Sequence, residues 1–326
     1  MKSAKKLIQE NIVIDNAFGF EPEIEVPYKW EVIQRYAKAG FSHLSLSIAT
    51  DMTSLETTMH YLAECRKIIA QTDNLVLAES AQDILAAKKA GKLALSFMFQ
   101  GSNPIEKNID LIEPLVKLGV KSMLIAYNIN NAMGSGCIEP HDGGLSLLGK
   151  KLVAEMNRHG MIIDLSHTGY KTSMDAMAIS SKPVIFSHSN VAKLHPHQRN
   201  LQDDQIIAAA KTDGFIGING NGPLLGDAQA SAQKYVDHVE YIINLVGDDY
   251  VGLGTDYVYF PEIFDAFMKK NGVVYPSNYG VGKIESFRST APENLQEIVI
   301  EMQKRGIKDA SIIKFLGGNY LRVLQA

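Results

Sequence analysis

The sequence predicts an α/β fold in which eight parallel strands, each followed by a helix, close into a (β/α)8 barrel. Short apolar runs alternate along the chain with longer amphipathic stretches, the pattern of repeated βαβ units. The apolar runs show little polar alternation, as expected for parallel strands that helices cover on both faces. A length of 326 residues is common for such a barrel.

Glycine marks the starts of several predicted strands. A helical pattern ends at Gly40, Gly91, Gly119, Gly160 or Gly214, and an apolar run follows at once. Glycine favours the left-handed conformation that ends a helix, so these junctions indicate helix-to-strand connections. The predicted strands span 11–16, 42–49, 93–99, 120–127, 161–166, 183–188, 214–219 and 250–255, with an extra short strand at 74–80.

The rest of the chain supports a single domain over residues 1–326. An amphipathic helix is predicted at 145–159, and two further helices, 293–305 and 309–325, finish the chain. The segment 259–285 interrupts the alternation and is predicted to form a loop with a short helix over the barrel mouth. An open, doubly wound sheet is the alternative, but no G-x-G-x-x-G follows the first strand.

Composition narrows the classes of partner and compartment. The formal net charge is −4 and the basic residues are scattered, which argues against nucleic acid or an anionic membrane as a partner. No apolar stretch approaches the roughly 20 residues of a membrane span. With two cysteines and no leader-like pattern in its first residues, the chain is predicted to be cytoplasmic and to act on a small molecule.

Candidate functional residues follow the predicted strands, whose carboxyl ends meet at the mouth of such a barrel. His167, His188 and Asp256 each follow a different strand, and imidazole with carboxylate is the ligand set of a zinc-type hydrolase site. Asp256 is a candidate ligand, general base, or both. The alternatives are hydrogen-bonded structural histidines and a helix-capping aspartate. Asp164 either faces the barrel interior or orients His167.

Three further segments on the same rim carry candidates. Arg199 has a guanidinium suited to a substrate carboxylate, although a surface arginine is the alternative. Asn219 and Asn221, after the seventh strand, are candidate substrate contacts. The glycine-rich segment 134–144 supplies possible replacement ligands, contacts or, for its cysteine, a nucleophile; its candidates are Cys137, Glu139, His141 and Asp142.

Longer motifs make a family resemblance specific. The stretches GLSLLGKKLVAEMNRHGMIIDLSHTG (144–169), KPVIFSHSN (182–190) and HQRNLQDDQI (197–206) resemble the membrane dipeptidase family of the amidohydrolase superfamily. GVKSMLIAYNINN (119–131) and GLGTDY (252–257) are similar to its fourth-strand and final-strand regions. The resemblance implies a zinc-dependent barrel that hydrolyses dipeptides, and family members are often homodimers.

Carried over by position, the resemblance assigns roles to four residues. His167 and His188 match the two histidine ligands of the second metal. Arg199 matches the arginine that holds the substrate carboxylate. Asp256 matches the aspartate that handles the catalytic water and its proton.

The same resemblance exposes departures. Ala17 and Gly19 stand where the family has the first-strand His-x-Asp, and Gln100 stands where it has a bridging glutamate. Tyr127 stands in place of the histidine that polarises the substrate carbonyl, and it can donate a hydrogen bond to a developing oxyanion. The resemblance therefore implies a lost first metal site and at most one zinc ion, with Gln100, Asp256 or water completing the shell around the two histidines.

The predicted function is a metal-dependent hydrolase of a dipeptide or dipeptide-like small amide that bears a carboxylate. The alternative is a catalytically inactive homologue that binds a small carboxylate ligand. A third interpretation is a metal-free enzyme in which the retained histidines act as general acid and base.

Overall fold

The computed structural model describes residues 2–276, 279 and 288–326. Its strands are all parallel to their neighbours. They are β1 (Ile14–Gly19), β2 (His43–Thr50), β3 (Leu75–Leu77), β4 (Leu93–Gln100), β5 (Val120–Leu124), β6 (Ile162–Asp164), β7 (Val184–Phe186), β8 (Phe215–Ile218) and β9 (Val251–Leu253).

Helices connect and surround these strands. They are α1 (Ala4–Glu10), α2 (Lys29–Ala39), α3 (Leu55–Gln71), α4 (Ala81–Lys89), α5 (Ile112–Lys117), α6 (Leu147–His159), α7 (Tyr170–Ile179), α8 (Asp203–Lys211), α9 (Gly222–Leu225), α10 (Ala232–Val246), α11 (Pro261–Lys270), α12 (Leu295–Lys304), α13 (Asp309–Ile313) and α14 (Asn319–Leu324). A π-helical turn, Lys314–Gly318, joins α13 to α14, so the last predicted helix is one nearly continuous segment.

The eight-stranded parallel barrel with surrounding helices is confirmed. The strand order is β1-β2-β4-β5-β6-β7-β8-β9, and β3, the extra short strand of the prediction, pairs with β4 outside this path. The side chains of β2 and β4 are buried along their full length, which explains why the sequence lacks polar alternation there. Gly40 and Gly160 end α2 and α6 with left-handed backbone conformations, as the glycine pattern predicts.

Side-chain and backbone hydrogen bonds join β1 to the chain at and just after β9. The Thr255 amide donates to Asp15 Oδ1 at 2.9 Å, and the Thr255 hydroxyl donates to Asp15 Oδ2. The Asp256 amide donates to the Ala17 carbonyl at 3.1 Å, and the Asn16 amide group donates to the Leu253 carbonyl. These bonds close the barrel.

This closure corrects the predicted first strand. The sequence analysis ends this strand at residue 16, whereas β1 continues to Gly19. Asp15 and Asn16 are buried within the strand and bind the far edge of the sheet. The predicted strand ends too early because polar residues usually mark the end of a buried strand, whereas here they lie inside it.

The segment 259–285 begins over the mouth as predicted, with the short helix α11. Phe264, Phe267 and Met268 pack with Tyr127 and Tyr275 in one apolar cluster. Positions 277–278 and 280–285 of that segment lie outside the described residues. None of the described helices has the length and apolar character needed to cross a membrane.

Replacing Thr255 by Val should destabilise the protein by about 1–3 kcal/mol, because a fully buried carboxylate oxygen of Asp15 loses its hydroxyl donor. Urea unfolding measures the change. Thr57→Val, at an exposed position of α3, is the matched control and should change stability by less than about 0.5 kcal/mol. Equal stability of both variants would contradict the assigned closure.

Candidate active site

Two histidines face each other at the mouth. His167 and His188 follow β6 and β7, and both are buried. Their Nε2 atoms are 2.9 Å apart. His167 has a left-handed backbone with φ 61°, a conformation that a non-glycine residue adopts rarely and that is typical of functional sites.

Hydrogen bonds fix the protonation of this pair. The Asn128 side-chain amide donates to the Val274 carbonyl at 3.0 Å, so Asn128 Oδ1 is left to accept from His167 Nδ1 at 2.7 Å. His167 therefore carries its proton on Nδ1, and its Nε2 accepts from His188 Nε2. His188 Nδ1 then accepts from the Ser187 hydroxyl at 2.7 Å.

Both imidazoles are neutral at neutral pH. Burial lowers the pKa of His167 and of His188 well below the ordinary value, and the nearby Arg199 cation lowers both further. A neutral imidazole is the form that binds a metal ion, but it is a poor general acid.

The donor set fits part of a metal site. The two converging Nε2 atoms would occupy two positions around a zinc ion, at Zn–N bonds of about 2.0–2.1 Å, once the His188 proton moves from Nε2 to Nδ1, where the Ser187 hydroxyl can accept it. Within residues 2–276, 279 and 288–326 there is no group of three or more His, Cys, Asp or Glu side chains placed to hold a metal. The Gln100 amide, 3.3 Å from Glu21 Oε1, donates to that carboxylate. These residues do not fit a two-zinc centre.

Arg199 is buried, and the charge of Asp256 acts on it from beyond ion-pair distance. The Arg199 side chain is 3% exposed, which excludes the surface arginine considered above. One Nη2 hydrogen bond, 3.1 Å long, reaches the His188 carbonyl, and Nε has no partner. Among the described residues no carboxylate forms an ion pair with this guanidinium. A buried cation of this kind favours an anionic ligand.

Asp256 is held by two asparagines. The side-chain amides of Asn219 and Asn221 each donate to Asp256 Oδ2 at 3.0 Å. Asn219 Oδ1 accepts from the Asn221 backbone amide at 2.7 Å, so both ends of the Asn219 side chain are engaged within the protein. The structure gives Asn219 a supporting position behind Asp256, while its predicted contact with substrate stays a prediction. Burial raises the pKa of Asp256, against the opposing effects of Arg199 and the two amides.

Tyr127 packs directly against the histidine pair. Its ring stacks on His167 with ring centroids 4.0 Å apart, and its hydroxyl lies 2.6 Å from that of Tyr275. Burial raises the pKa of Tyr127 well above the ordinary value, so the hydroxyl keeps its proton and remains a hydrogen-bond donor.

Sequence reasoning missed Glu21. Its side chain is only 6% exposed and lies beside Gln100 at the mouth. Burial raises its pKa from 4.5 to about 7. The sequence held a signal for Glu21, because residues 17, 19 and 21 fall on one face of an extended chain. In the structure the Phe20 amide donates to the Ser47 carbonyl, so the extended conformation continues past Gly19.

The glycine-rich segment 134–144 supplies no replacement ligand for the histidine pair. Burial raises the pKa of Cys137 to about 11, which contradicts a thiolate nucleophile. Asp142 accepts from the Thr172 hydroxyl at 2.7 Å and from the Thr172 amide. Glu139 accepts from the Asn130 amide, and His141 is exposed. The Asp164 carboxylate faces the barrel interior, where it accepts from backbone amides and does not orient His167.

Two cavities flank the stacked rings of Tyr127 and His167. A cavity of about 220 Å³ is lined by residues that include His167, Cys137 and Arg199. A smaller cavity of about 50 Å³ is lined by Glu21, Gln100, Tyr127 and Asp256 together with further aromatic side chains. The mouth therefore has a basic side and an acidic side.

This closed parallel barrel has the fold of the amidohydrolases. A crystal structure of an amidohydrolase from Pseudomonas aeruginosa superposes with a TM-score of 0.90 at 28% identity, covering 99% of this chain and 98% of that one. A metallo peptidase from Rhodobacter sphaeroides, liganded with a phosphinate mimic of the dipeptide L-Ala-D-Ala, gives a TM-score of 0.78 at 19% identity over 97% and 99% of the two chains. The second likeness concerns the fold alone.

The chain belongs to the membrane dipeptidase family, peptidase family M19, whose model matches residues 32–268. The dipeptidase verJ of Clonostachys rogersoniana is 30% identical over 90% of this chain and 69% of its own length. The dipeptidase tcpJ of Claviceps purpurea is 30% identical over 91% and 65%. This chain thus spans about two-thirds of the length of these relatives. The family match begins after Ala17, Gly19 and Glu21.

Glu21→Gln should become more stable relative to wild type as pH rises. Buried Glu21 titrates at about 7 in the folded state, against 4.5 ordinarily, so the unfolded state ionises first. Wild-type stability is therefore lost between pH 4.5 and 7, by about 3 kcal/mol in all, whereas glutamine does not titrate. Urea unfolding at pH 4, 6 and 8 measures the difference. Glu25→Gln, in the same loop but exposed, controls for the loss of one charge, and a constant difference at all three pH values would contradict the assigned burial.

Proposed function

We propose that this protein is a hydrolase of the dipeptidase type that acts on a dipeptide or dipeptide-like small amide bearing a free carboxylate. At most one zinc ion is held, by His167 and His188. The observation that carries the proposal is the buried Arg199, which has one carbonyl partner and an unpartnered Nε.

A substrate carboxylate would satisfy this arginine. The guanidinium fork matches the two oxygens of a carboxylate, and charge-assisted pairs of this kind are stronger than neutral hydrogen bonds. The adjoining cavity of about 220 Å³ offers room for one end of a small molecule. Membership of the dipeptidase family supports a substrate whose carboxylate lies next to an amide bond.

Asp256 and Tyr127 supply the chemistry in this proposal. Asp256 accepts the proton of the attacking water and returns it to the leaving amine, and the Asn219 and Asn221 amides keep the carboxylate oriented. Tyr127 donates its hydroxyl hydrogen bond to the oxygen of the scissile carbonyl, where negative charge develops. The stack on His167 holds the Tyr127 ring in place.

A second candidate is a homologue that binds a small carboxylate ligand without turning it over. The observation that favours it is the incomplete donor set, since no third His, Cys, Asp or Glu in the described part of the chain joins the histidine pair. In this case Arg199 keeps its role and Asp256 loses its chemical one.

Zinc content separates the two candidates. After equilibration with zinc and removal of excess, wild type should retain at most one ion per chain, and His167→Ala/His188→Ala should retain none. His60→Ala/His141→Ala, which removes two exposed histidines, should behave as wild type. Elemental analysis measures the ratio. Two ions per chain would refute the proposed site, and none in wild type would remove zinc from the proposal and leave a metal-free reaction or the binding homologue.

Arg199→Met should weaken the binding of a phosphinate mimic of L-alanyl-L-alanine, which is not hydrolysed, by roughly 10- to 100-fold, because its carboxylate loses a charged donor. The exposed Arg158→Met is the control. Isothermal titration calorimetry on both variants and wild type measures the dissociation constants. Unchanged affinity in Arg199→Met would rule out the carboxylate role.

A further inference from the structure

The smaller cavity at the mouth combines two carboxyl groups with an aromatic wall. Glu21 and Asp256 line it, and so do six aromatic side chains: Tyr127, Tyr257, Phe260, Phe264, Phe267 and Tyr275. None of the described residues that line the cavity is a lysine or an arginine. Carboxylates surrounded by aromatic faces attract a cationic ligand, because both the charge and the ring quadrupoles favour it.

The place of the Glu21 carboxylate depends on a glycine two residues earlier. A Cβ atom at Gly19 would lie 3.3 Å from Glu21 Oε2, closer than most such contacts. The carboxylate therefore occupies space into which a side chain at residue 19 would extend. On its other oxygen, Glu21 accepts from the Gln100 amide at 3.3 Å, a long hydrogen bond from a neutral donor that brings no positive charge.

The neighbouring Lys29 interacts with the Glu21 charge from beyond ion-pair distance. Lys29 Nζ donates to the Glu21 backbone carbonyl at 3.2 Å and to the Tyr61 hydroxyl at 2.9 Å. It also lies 5.0 Å from the centre of the Phe20 ring. Its ammonium is thus committed to a carbonyl, a hydroxyl and ring faces, and it forms no ion pair with the Glu21 carboxylate in the described structure.

We propose that Glu21, together with Asp256 and the aromatic wall, binds the ammonium group of the substrate. The substrate is then a zwitterion whose carboxylate pairs with Arg199 and whose free amine enters the acidic cavity. This inference rests on the proposed function for its carboxylate end, but its amine end can be tested separately.

The cavity size sets the specificity. A volume of about 50 Å³ is several times the roughly 10–15 Å³ that one water molecule needs, but less than a quarter of the volume of the cavity beside Arg199. A primary ammonium with its attached carbon fits such a space. An acylated amine is larger, has no charge and would leave the two carboxyl groups uncompensated. We therefore assign the site to free amines and not to N-acyl compounds.

Calorimetric titration with four probes tests this assignment. L-Alanyl-L-alanine has both charges, N-acetyl-L-alanyl-L-alanine lacks the amine, L-alanyl-L-alaninamide lacks the carboxylate, and L-alaninamide carries the amine alone. Wild type should bind the free dipeptide at least about tenfold more tightly than its N-acetyl form. Glu21→Gln, which keeps the side-chain shape, should lose most of that preference and should keep the preference for a free carboxylate.

Controls keep the result interpretable. Glu25→Gln removes an exposed carboxylate of the same loop and should match wild type with all four probes. Glu21→Asp keeps the charge but withdraws it by one methylene, so its preference should be intermediate. Circular dichroism and the thermal midpoint verify that each variant is folded.

Three results would overturn the assignment. They are equal binding of free and N-acetyl dipeptides by wild type, an undiminished preference in folded Glu21→Gln, and no binding of either amine-bearing dipeptide by wild type. If wild type instead binds L-alaninamide through Glu21 but ignores whether the dipeptide carboxylate is free, the Arg199 proposal fails and the Glu21 assignment stands.

Discussion

Closure of the barrel between β1 and β9 is the interaction on which the site depends. The Asp15 side chain binds the backbone and hydroxyl of Thr255, and the next residue, Asp256, donates its amide to the Ala17 carbonyl. Asp256 is thereby fixed against the first strand, on the same rim as Glu21. A carboxyl group buried at this seam costs solvation, and burial raises the pKa of Asp15 to about 6. The hydrogen bonds from Thr255 offset part of that cost.

The mouth contains buried polar groups whose hydrogen bonds and charges are only partly matched by other groups of the described protein. Arg199 and Glu21 are both nearly inaccessible, carry opposite charges when ionised, and form no ion pair with each other. His167 lines the cavity beside Arg199 and Tyr127 lines the cavity beside Glu21, and the two rings stack on each other. Leaving two such groups unpaired is unfavourable for stability, and it is the arrangement expected where a ligand with two charged ends completes the site.

The hydrogen bonds of the histidine pair differ from those expected in a two-metal site. Each Nδ1 has a partner, Asn128 or Ser187, and the two Nε2 atoms meet each other. The two Nε2 atoms offer two ligands to a single ion, and no third His, Cys, Asp or Glu among the described residues joins them. We therefore propose that Arg199 and Glu21, and not a second metal ion, recognise the charged ends of the ligand.

The sequence alone was sufficient for the barrel and for most of the rim. Glycine at helix ends and uninterrupted apolar runs are local signals, and a parallel barrel brings the residues after each strand to one face, so His167, His188 and Asp256 could be placed together. The sequence did not predict the burial of Arg199, because that burial depends on how the loop after β7 packs against other parts of the chain.

Other features depended on long-range partners. The engagement of Asn219 with Asp256 and of Asn128 with His167 joins residues 37 and 39 positions apart. The first strand was misplaced because its polar residues bind across the seam to residues more than 200 positions away. Glu21 was missed because the glycine at residue 19 was considered only as a missing ligand, whereas it also makes room for a carboxylate.

A crystal structure grown with zinc and a phosphinate mimic of L-alanyl-L-alanine, which cannot be hydrolysed, is the most direct measurement of the central claim. The account predicts at most one zinc ion, bound to His167 and His188, with the carboxylate of the mimic on Arg199 and its ammonium beside Glu21. Two zinc ions at the mouth, or a mimic bound with its carboxylate away from Arg199, would contradict it.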